Sequence, residues 1–484
     1  MIITSPAFRP FVSLIALAAM LSGCGGGGAS SVAQSGTSSA PSATPTPAAS
    51  AGCSLRARQD WVAAQMQEWY LFPETLPTGL NPASYGNVDD YLDALTATAR
   101  GQRKDRYFTY LTSIAEENAY YDSGATAGFG FRLSLDGANR LLIAESFENA
   151  PAGLAGLQRG TEIVAIGTTG ANLRTVSSII ASEGSDGLTT ALGPDTSGTA
   201  RVFQLAGIGG DRTVTITKAD YDLQPVGPGD ARVIDDNGTK VGYIKLRTFI
   251  STADDQLRSA FANFRTQGIT QIVVDFRYNG GGLLSTAELM GNLLGGNRST
   301  ADVFDHVSFR PEKASNNTTA FFAPQPQSIS ATRIAFIGMA GTASASELVI
   351  NGFVPYLRAN AGLIGTNTYG KPVGQIARDN AGCDDRLRVI ALSLQNANRQ
   401  GDYYDGLASK VEASCQATDD LSRPMGDPAE ASTRQALDFL AGRACTPIGG
   451  APVSAARRSL AVSPAALLGS TRPNAAQREV PGLF

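Results

Sequence analysis

The chain has 484 residues, a formal net charge of −4 at neutral pH and 43% hydrophobic residues. This length allows two or three globular domains. The weak negative charge, without a cluster of Lys and Arg interleaved with aromatic residues, argues against nucleic acid as a partner. Five cysteines and one histidine show no spacing typical of a zinc site, so neither a metal nor another cofactor is expected.

The N-terminus has the features of a bacterial secretion signal. Arg9 precedes the apolar run Phe11–Leu21, which is too short to span a membrane. The Leu-Ser-Gly-Cys sequence that follows resembles a lipobox, which implies a signal peptide over residues 1–23 and a lipidated Cys24. The alternative is an ordinary signal peptide cut nearby. Because Gly25 rather than aspartate follows, the resemblance implies an outer-membrane lipoprotein whose folded domains lie in the periplasm.

Residues 24–52 are rich in Gly, Ser, Ala, Thr and Pro and have no apolar period, which predicts a flexible tether. The following segment, 53–124, is predicted to be a helical domain. Its apolar residues recur at helix spacing around Trp61 and Met66, and Val88–Ala99 gives a second helix.

Residues 125–226 are predicted to form a β-rich domain. Strands are predicted over Phe129–Leu135 and Arg140–Ser146, and the sequence AGLQRGTEIVAI at Ala155–Ile166 and the stretch Ala171–Glu183 follow them. A generic glycine turn in a β domain would account for part of this pattern.

The order of these segments resembles a PDZ domain. The resemblance implies that Phe129, Gly130 and Phe131 form the loop that binds the terminal carboxylate of a peptide. It also implies that Ala155–Ile166 forms a short helix and the strand after it, and that Ala171–Glu183 forms a second helix lining the groove. The peptide would then add to the sheet as a strand.

Strands and helices alternate between residues 227 and 445, which is typical of an α/β domain. A hairpin turn at Asp235–Gly238 opens it, and the polar segment Ser299–Pro326 is predicted to be a lid or an insert. The predicted helices are Ala253–Gln267, Ser285–Leu294, Ala345–Leu357 and Ala431–Ala441. The predicted strands are Gln271–Phe276, Arg333–Met339 and Leu387–Leu394, and a further apolar run covers Ala361–Gly365.

Small hydroxyl residues occupy the predicted strand-to-helix turn at 341–347. The first N–H groups of a helix have no internal partner and can bind an anion, so a serine at this turn lies close to donors for an oxyanion. Ser344 and Ser346 are the candidates for a nucleophile. A plain turn before a core helix is the alternative.

A serine nucleophile needs a base. His306 is the one histidine of the chain, and Lys371 offers another route, since serine–lysine pairs are a variant of the catalytic triad. A neutral lysine near pH 7 requires that burial lower its pKa by roughly three units, at a cost of about 4–5 kcal/mol.

Three segments complete the pattern, namely Asp275–Gly282, Thr342–Glu347 and Tyr369–Gln375. In this order they resemble the signature of the tail-specific (carboxyl-terminal processing) serine protease family. The resemblance implies specific site roles, which are Ser344 as nucleophile, Lys371 as general base, Gln375 as the residue that orients the lysine, and the N–H groups of Gly281 and Ala345 as the oxyanion hole.

The chain departs from the family pattern at two places. Gly280 stands where the family often has proline, and the stretch between the serine and the lysine is longer, with extra residues around Tyr356–Ala361. The second departure keeps Ser346 open beside Ser344.

The resemblance implies a multidomain α/β fold with an N-terminal helical domain, a PDZ-like β-rich domain and an α/β serine protease core of the tail-specific protease (ClpP/crotonase-like) type. Lys104–Leu111 resembles the segment that closes the family's N-terminal domain. The implied function is a serine endopeptidase that cleaves peptide or unfolded protein substrates through an acyl-enzyme. The alternatives are a catalytically inactive peptide-binding scaffold of the same fold and an acyl-transfer enzyme for small esters.

Four cysteines remain once Cys24 is lipidated, and an even number in an oxidising compartment indicates two disulfides. The sequence allows three pairings. The favoured pairing joins Cys383 to Cys415 as a clamp on a loop, and Cys53 to Cys445 across the two ends of the folded part.

Residues 446–484 are rich in Ala, Pro, Ser and Arg and are predicted to be disordered. They end in Gly482-Leu483-Phe484, an apolar C-terminus of the kind that PDZ grooves bind. We therefore consider the hypothesis that this tail docks on its own or a neighbour's PDZ-like domain and competes with substrate. The alternative is a solvated remnant.

Overall fold

The structure is a computed structural model that describes residues 2–3, 51–449, 466–470 and 473–484. The predicted signal peptide, the lipidated Cys24 and the tether lie outside these residues, apart from the strand Ile2–Ile3 (β1). No helix within the described ranges is both long enough and apolar enough to cross a membrane.

The first domain contains the predicted helices and a strand that the sequence did not indicate. Its elements are α1 (Leu55–Trp69), α2 (Val88–Gly101), β2 (Tyr110–Ser113) and α3 (Ile114–Ser123). Polar N-cap residues begin the helices, as where the Ser54 side chain accepts the Ala57 N–H group. The α3 helix ends at Gly124 in the left-handed region.

The second domain is an antiparallel sheet with one long helix packed against it. Its strands and helices are β3 (Ala125–Gly128), β4 (Phe131–Leu135), β5 (Leu141–Ser146), α4 (Pro151–Leu154), β6 (Glu162–Gly167), β7 (Arg174–Thr175), α5 (Val176–Leu192), β8 (Ala200–Ala206), β9 (Arg212–Thr217) and β10 (Ala219–Asp222). The main sheet runs β4-β5-β6-β8-β9, while β10 pairs with β3. Phe129, Phe131 and Phe203 pack against α5 residues in its core.

The third domain alternates strands and helices as predicted. Its elements are β11 (Ala231–Asp236), β12 (Thr239–Lys245), α6 (Ala253–Thr266), β13 (Gln271–Asp275), α7 (Leu284–Leu294), β14 (Val303–Phe309), β15 (Thr318–Phe321), β16 (Arg333–Gly338), α8 (Ala345–Leu357), β17 (Ala361–Gly365), β18 (Val373–Asn380), β19 (Asp385–Gln395), β20 (Ala413–Gln416) and α9 (Ala431–Leu440).

The central sheet has the order β11-β12-β13-β16-β17-β20, with parallel pairing from β12 onwards. Helices cover both faces because successive strand residues point to opposite sides. Ile272 and Val274 face α6, α7 and α8, whereas Val273 between them faces α9. The carboxyl ends of β13 and β16 therefore meet at one edge, where the glycine loop and Ser344 follow.

A second sheet has the order β1-β18-β19-β14-β15, and β2 of the first domain also pairs with β19. Ser299–Pro326 was predicted to be a lid or an insert, and the prediction of a lid is wrong. The segment contains the β14–β15 hairpin, which extends this sheet. Polar outward-facing residues such as Thr318 and Thr319 hid the alternation that a buried strand shows.

The prediction of disorder for 446–484 is wrong for its described C-terminal part. Residues Ala466–Leu467 (β21) pair with β4, and Ala475–Glu479 (α10) packs beside α3. The segment is rich in Ala, Pro, Ser and Arg, yet its larger apolar residues, including Val480 and Leu483, are buried on other domains. Composition carries no information about contacts with residues that are distant in sequence, so it could not predict this burial.

Both predicted disulfide pairings are wrong. The structure joins Cys53 to Cys383 and Cys415 to Cys445, with Cα–Cα distances of 5.5 and 5.4 Å. Cys383 lies in the turn between β18 and β19, beside the start of the first domain, because β2 pairs with β19. Cys415 lies on β20, whose Gln416 N–H group donates to Thr446 O at 2.7 Å and so brings Cys445 alongside.

Asp305 on β14 is a buried carboxyl group whose oxygens accept no hydrogen bond from the described residues. The residue is 0% exposed. Burial raises the pKa of Asp305 well above its usual range, and the nearby Glu288 carboxylate adds to the effect.

We expect Asp305→Asn to stabilise the protein increasingly as pH rises. The folded-state pKa of Asp305 is raised, so unfolding releases a proton, and wild-type stability falls as pH increases from about 4. Each unit of that pKa difference corresponds to about 1.4 kcal/mol. The measurement is the urea unfolding midpoint of the wild type and of Asp305→Asn at a series of pH values from about 4 upwards.

The matched control is Asp255→Asn, because Asp255 is fully exposed on α6. This variant should leave the pH dependence of the midpoint unchanged. The prediction fails if the Asp305→Asn and wild-type midpoints run parallel with pH.

Candidate active site

Ser344 lies at a strained turn between β16 and α8. Its φ is +58° and its ψ is −114°, a conformation that costs a non-glycine residue roughly 1–3 kcal/mol and is typical of functional sites. The Thr342 hydroxyl fixes this turn because it donates to Phe276 O at 2.7 Å and accepts the Met339 N–H group at 2.9 Å. Ser344 is thus buried at the first turn of a helix whose axis begins there.

Glu347 holds the two predicted catalytic segments together. Its Oε2 atom accepts the N–H groups of both Ser344, at 3.0 Å, and Lys371, at 2.7 Å. Its Oε1 atom accepts the Thr368 hydroxyl at 2.6 Å and the Gly370 N–H group at 2.7 Å. Burial raises the pKa of Glu347, and these four hydrogen bonds oppose the shift.

Sequence reasoning missed this role of Glu347. The available signal was the S-x-x-E spacing from Ser344, a pattern in which the glutamate side chain returns to the N-cap N–H group. The contacts to the Lys371 segment had no local signal.

Lys371 is buried beside Gln375. Its Nζ atom donates to Gln375 Oε1 at 2.9 Å, and Gln375 Nε2 in turn donates to Phe108 O. The Nζ atom also lies 5.1 Å from the centre of the Phe108 ring. Burial lowers the pKa of Lys371, and the Glu479 carboxylate from the C-terminal segment partly reverses this shift. The structure thus brings the predicted base and its predicted orienting residue together.

The first domain supports the lysine segment through Arg106. The Arg106 guanidinium donates to Tyr369 O at 2.8 Å and also to Gly370 O, and it lies 4.2 Å from the centre of the Tyr369 ring. Asp105 accepts the Phe108 N–H group at 2.8 Å and the Tyr70 hydroxyl at 2.8 Å. Sequence reasoning identified this stretch but gave neither residue a role, because both act on partners far along the chain.

A buried ion cluster anchors the glycine loop. Arg277 is within 2.9 Å of Asp275 and within 2.8 Å of Glu430, and it lies 3.2 Å from Asp419. All the side chains concerned are buried or nearly so. This cluster fixes the start of the loop that continues through Asn279 to the glycines.

The glycine loop packs so closely against Ser344 that Gly281 has no room for a side chain. A Cβ atom at Gly281, whose φ is +124°, would lie 2.8 Å from Ser344 Cβ and 3.2 Å from Ala345 N. Ala345 is the first residue of α8, as its predicted oxyanion role requires. The N–H group of Gly281, by contrast, donates to Asn279 Oδ1 at 2.9 Å in this structure, so it is directed at its own loop.

Ser346, the other candidate nucleophile, and His306, the other candidate base, make different contacts. The Ser346 hydroxyl donates to Asn279 O at 3.1 Å and so ties α8 to the glycine loop. His306 lies on β14 of the other sheet, where its Nδ1 atom is 2.9 Å from Thr319 Oγ1. Burial lowers the pKa of His306.

The predicted carboxylate loop at Phe129, Gly130 and Phe131 is occupied by the end of the same chain. The N–H groups of Gly130 and Phe131 donate to Phe484 O at 2.9 and 3.4 Å, and Phe484 N–H donates back to Phe131 O at 3.0 Å. Residues 482–484 thus lie along β4 of the β-rich domain as an added strand.

Residues 240–398 match the family model described as Peptidase family S41, and residues 57–110 match that of the Peptidase S41 N-terminal domain. The chain is 27% identical over 271 residues to a chloroplastic C-terminal processing peptidase of Tetradesmus obliquus, covering 53% of this chain and 54% of the relative. It is 26% identical over 252 residues to a carboxyl-terminal-processing protease of Synechocystis sp., covering 51% and 54%.

A solved structure of an S41 protease from Bacteroides fragilis is similar with a TM-score of 0.61 and 25% identity, covering 79% of this chain and 97% of that one. The chain spans about half the length of the two curated relatives.

The buried serine at a strand-to-helix turn of the α/β fold stands where a serine nucleophile could be activated. The chain thus resembles peptidase family S41 over residues 240–398 and the N-terminal domain of that family over residues 57–110.

Proposed function

We propose that this protein is a serine endopeptidase that uses Ser344 as nucleophile and Lys371 as general base. The observation that carries the proposal is the shared Glu347 Oε2 atom, which binds the backbone N–H groups of both residues. One buried carboxylate thereby fixes the segments from which the nucleophile and the base project. Gln375 orients the lysine by accepting from its Nζ atom.

The reaction proceeds through an acyl-enzyme. Neutral Lys371 takes the proton from Ser344 Oγ as the oxygen attacks the carbonyl carbon of the scissile peptide bond. Lys371 then gives this proton to the leaving amine, and the C–N bond breaks. Neutral Lys371 next takes a proton from water as the water oxygen attacks the ester carbon. The C–O bond to Ser344 then breaks, and Lys371 returns the proton to Ser344 Oγ.

The tetrahedral intermediates require hydrogen-bond donors at their oxyanion. The Ala345 N–H group at the start of α8 is one donor. The Gly281 N–H group becomes the second when its peptide turns away from Asn279 Oδ1, a motion that glycine permits.

Residues 125–226 serve as a PDZ domain that captures substrate carboxyl termini. The support is the strand-like hydrogen bonding of Phe484 to Gly130 and Phe131, which is the geometry of a peptide added to a sheet edge. Substrates are then peptides or unfolded proteins with an apolar C-terminal residue.

The proposed site of action is the cell envelope. Lipidation at Cys24 and the tether to residue 52 would hold the folded domains on the periplasmic side of the outer membrane. The PDZ and ClpP/crotonase-like assignments and the location remain predictions. An inactive scaffold is not favoured, since buried Lys371 beside Gln375 is costly to retain without catalytic use.

We expect activity to rise with pH through the folded pKa of Lys371 and then level off. Only the neutral amine can accept the serine proton, and burial lowers the pKa, so the rise should be centred clearly below ~10.4, the free-lysine value. The measurement is kcat/KM for an uncharged blocked peptide from about pH 5 to about pH 11. A midpoint near the free-lysine value would show that Lys371 is not the base.

A further inference from the structure

The C-terminal segment Ala475–Phe484 spans two sites at once. At one end, Phe484 is 4% exposed and packs in the core that contains Phe129, Phe131 and Phe203. Leu133 N–H donates to Gly482 O at 3.0 Å, so the last residues continue the sheet beyond β4. This is the arrangement expected for a peptide strand added to the edge of a sheet.

The middle of the segment is buried on aromatic residues of two other domains. Ala475, Ala476, Val480 and Leu483 form one apolar cluster with Tyr120, Tyr121, Phe147 and Tyr221. Arg132 donates to Pro481 O at 3.3 Å. The segment is therefore seated along its length rather than at its end alone.

Arg478 and Glu479 of the segment lie against the glycine loop. Gly280 N–H donates to Glu479 O at 2.8 Å, and a Cβ atom at Gly280 would lie 2.7 Å from Arg478 O. A proline at this position would have no N–H group to donate. Gly280 thus supplies both the room and the hydrogen bond for the segment.

The Glu479 side chain occupies the space beside Ser344. Glu479 is 2% exposed, and its Oε1 atom accepts the Tyr121 hydroxyl at 3.0 Å. Its Oε2 atom lies 3.2 Å from the Cβ position of Gly281 and has no hydrogen-bond partner among the described residues. A carboxylate oxygen therefore stands next to the glycine whose N–H group the proposed reaction requires.

We propose that Ala475–Phe484 is a built-in inhibitor that a competing carboxyl terminus releases. Phe484 closes the groove that would take the substrate's end, and the bound segment carries Glu479 over Ser344. The inference rests on the proposed peptidase function. It accounts for the state of the oxyanion loop, in which Gly280 N–H is bonded to the segment and Gly281 N–H to Asn279.

Charge adds to the obstruction. The charged groups that face Lys371 are Glu479 and Arg478 of the segment, Asp105 of the first domain and Glu347 of α8. Among them Glu479 acts most strongly to raise the pKa of Lys371, which burial lowers. Arg478 of the same segment acts in the opposite direction, so within the segment it is the Glu479 carboxylate alone that favours the protonated lysine, which cannot act as a base.

The test uses the full chain and the labelling rate of Ser344 by a small fluorophosphonate probe, which needs no groove. The peptide Val-Pro-Gly-Leu-Phe copies residues 480–484 and stops short of Glu479. The tethered segment has an effective concentration on the order of 1 mM, and we take a dissociation constant of about 0.1 mM for the groove. The ratio of the two leaves about one molecule in ten open, so full release should raise the labelling rate about tenfold. The matched control is the same peptide with a C-terminal amide, which should not compete.

A second comparison needs no added ligand. Glu479→Ala should raise the labelling rate severalfold, whereas Glu116→Ala, an exposed glutamate on α3, should not change it. Equal rates with and without the free-acid peptide, together with an unchanged rate in Glu479→Ala, would overturn the inhibitor. No labelling of Ser344 under any condition would instead overturn the proposed peptidase function, and the inhibitor with it.

Discussion

Ser344→Ala and Lys371→Met are each expected to lower kcat for protein cleavage by about 10^4-fold or more, and the double variant should lose little beyond either. The losses do not add, because the serine and the lysine act as one unit in the same proton transfer. Methionine keeps the volume of the lysine side chain without its amine, so folding is preserved. Casein digestion measures activity, and circular dichroism checks the fold.

Ser346→Ala is the matched control for the nucleophile. Its hydroxyl donates to Asn279 O, so its loss should loosen the glycine loop and reduce activity only modestly. Full activity in Ser344→Ala would refute the assignment of the nucleophile. A complete loss confined to Ser346→Ala would transfer that role to Ser346.

Arg277→Met is expected to destabilise the protein by about 3–5 kcal/mol, because it leaves buried carboxylates without their counter-ion. Arg277 makes close ion pairs with Asp275 and Glu430, whose side chains are fully buried. Burial alone would raise the pKa of Glu430, but the Arg277 guanidinium outweighs it and holds that pKa below its usual range. The urea unfolding midpoint is the measurement.

The effect of Arg277→Met should shrink in acid. Wild-type Glu430 has a depressed folded-state pKa, so the stability it contributes is lost as pH falls through that pKa. Arg258→Met is the control, since Arg258 is partly exposed and its nearest acidic oxygens are 3.9 and 4.0 Å away. That change should cost less than about 1 kcal/mol. Equal midpoints for the two variants would contradict the prediction.

Local patterns carried much of the fold. The α8 helix spans Ala345–Leu357 as predicted, because apolar periodicity is a property of short stretches. The apolar run Ala361–Gly365 is the strand β17, and the turn that contains Ser344 was also placed by sequence.

What local patterns could not supply was contact between distant stretches. The disulfide pairing depends on β2 lying beside β19, a pairing across more than two hundred and fifty residues of sequence. Arg106 acts on Tyr369 O, and Glu347 acts on the Lys371 N–H group, for the same reason. The order of the C-terminal segment depends on surfaces that three domains build together.

The disulfide connectivity also decides which chain breaks separate the protein into pieces. The bond from Cys53 to Cys383 closes most of the chain into one covalent ring, and the bond from Cys415 to Cys445 closes a second, small ring. A cut anywhere within either ring leaves both fragments attached. The segment Ala475–Phe484 lies outside both rings, so one cut after Cys445 detaches it from every other part of the chain. Loss of this segment by proteolysis would therefore be permanent, in contrast to its displacement by a peptide.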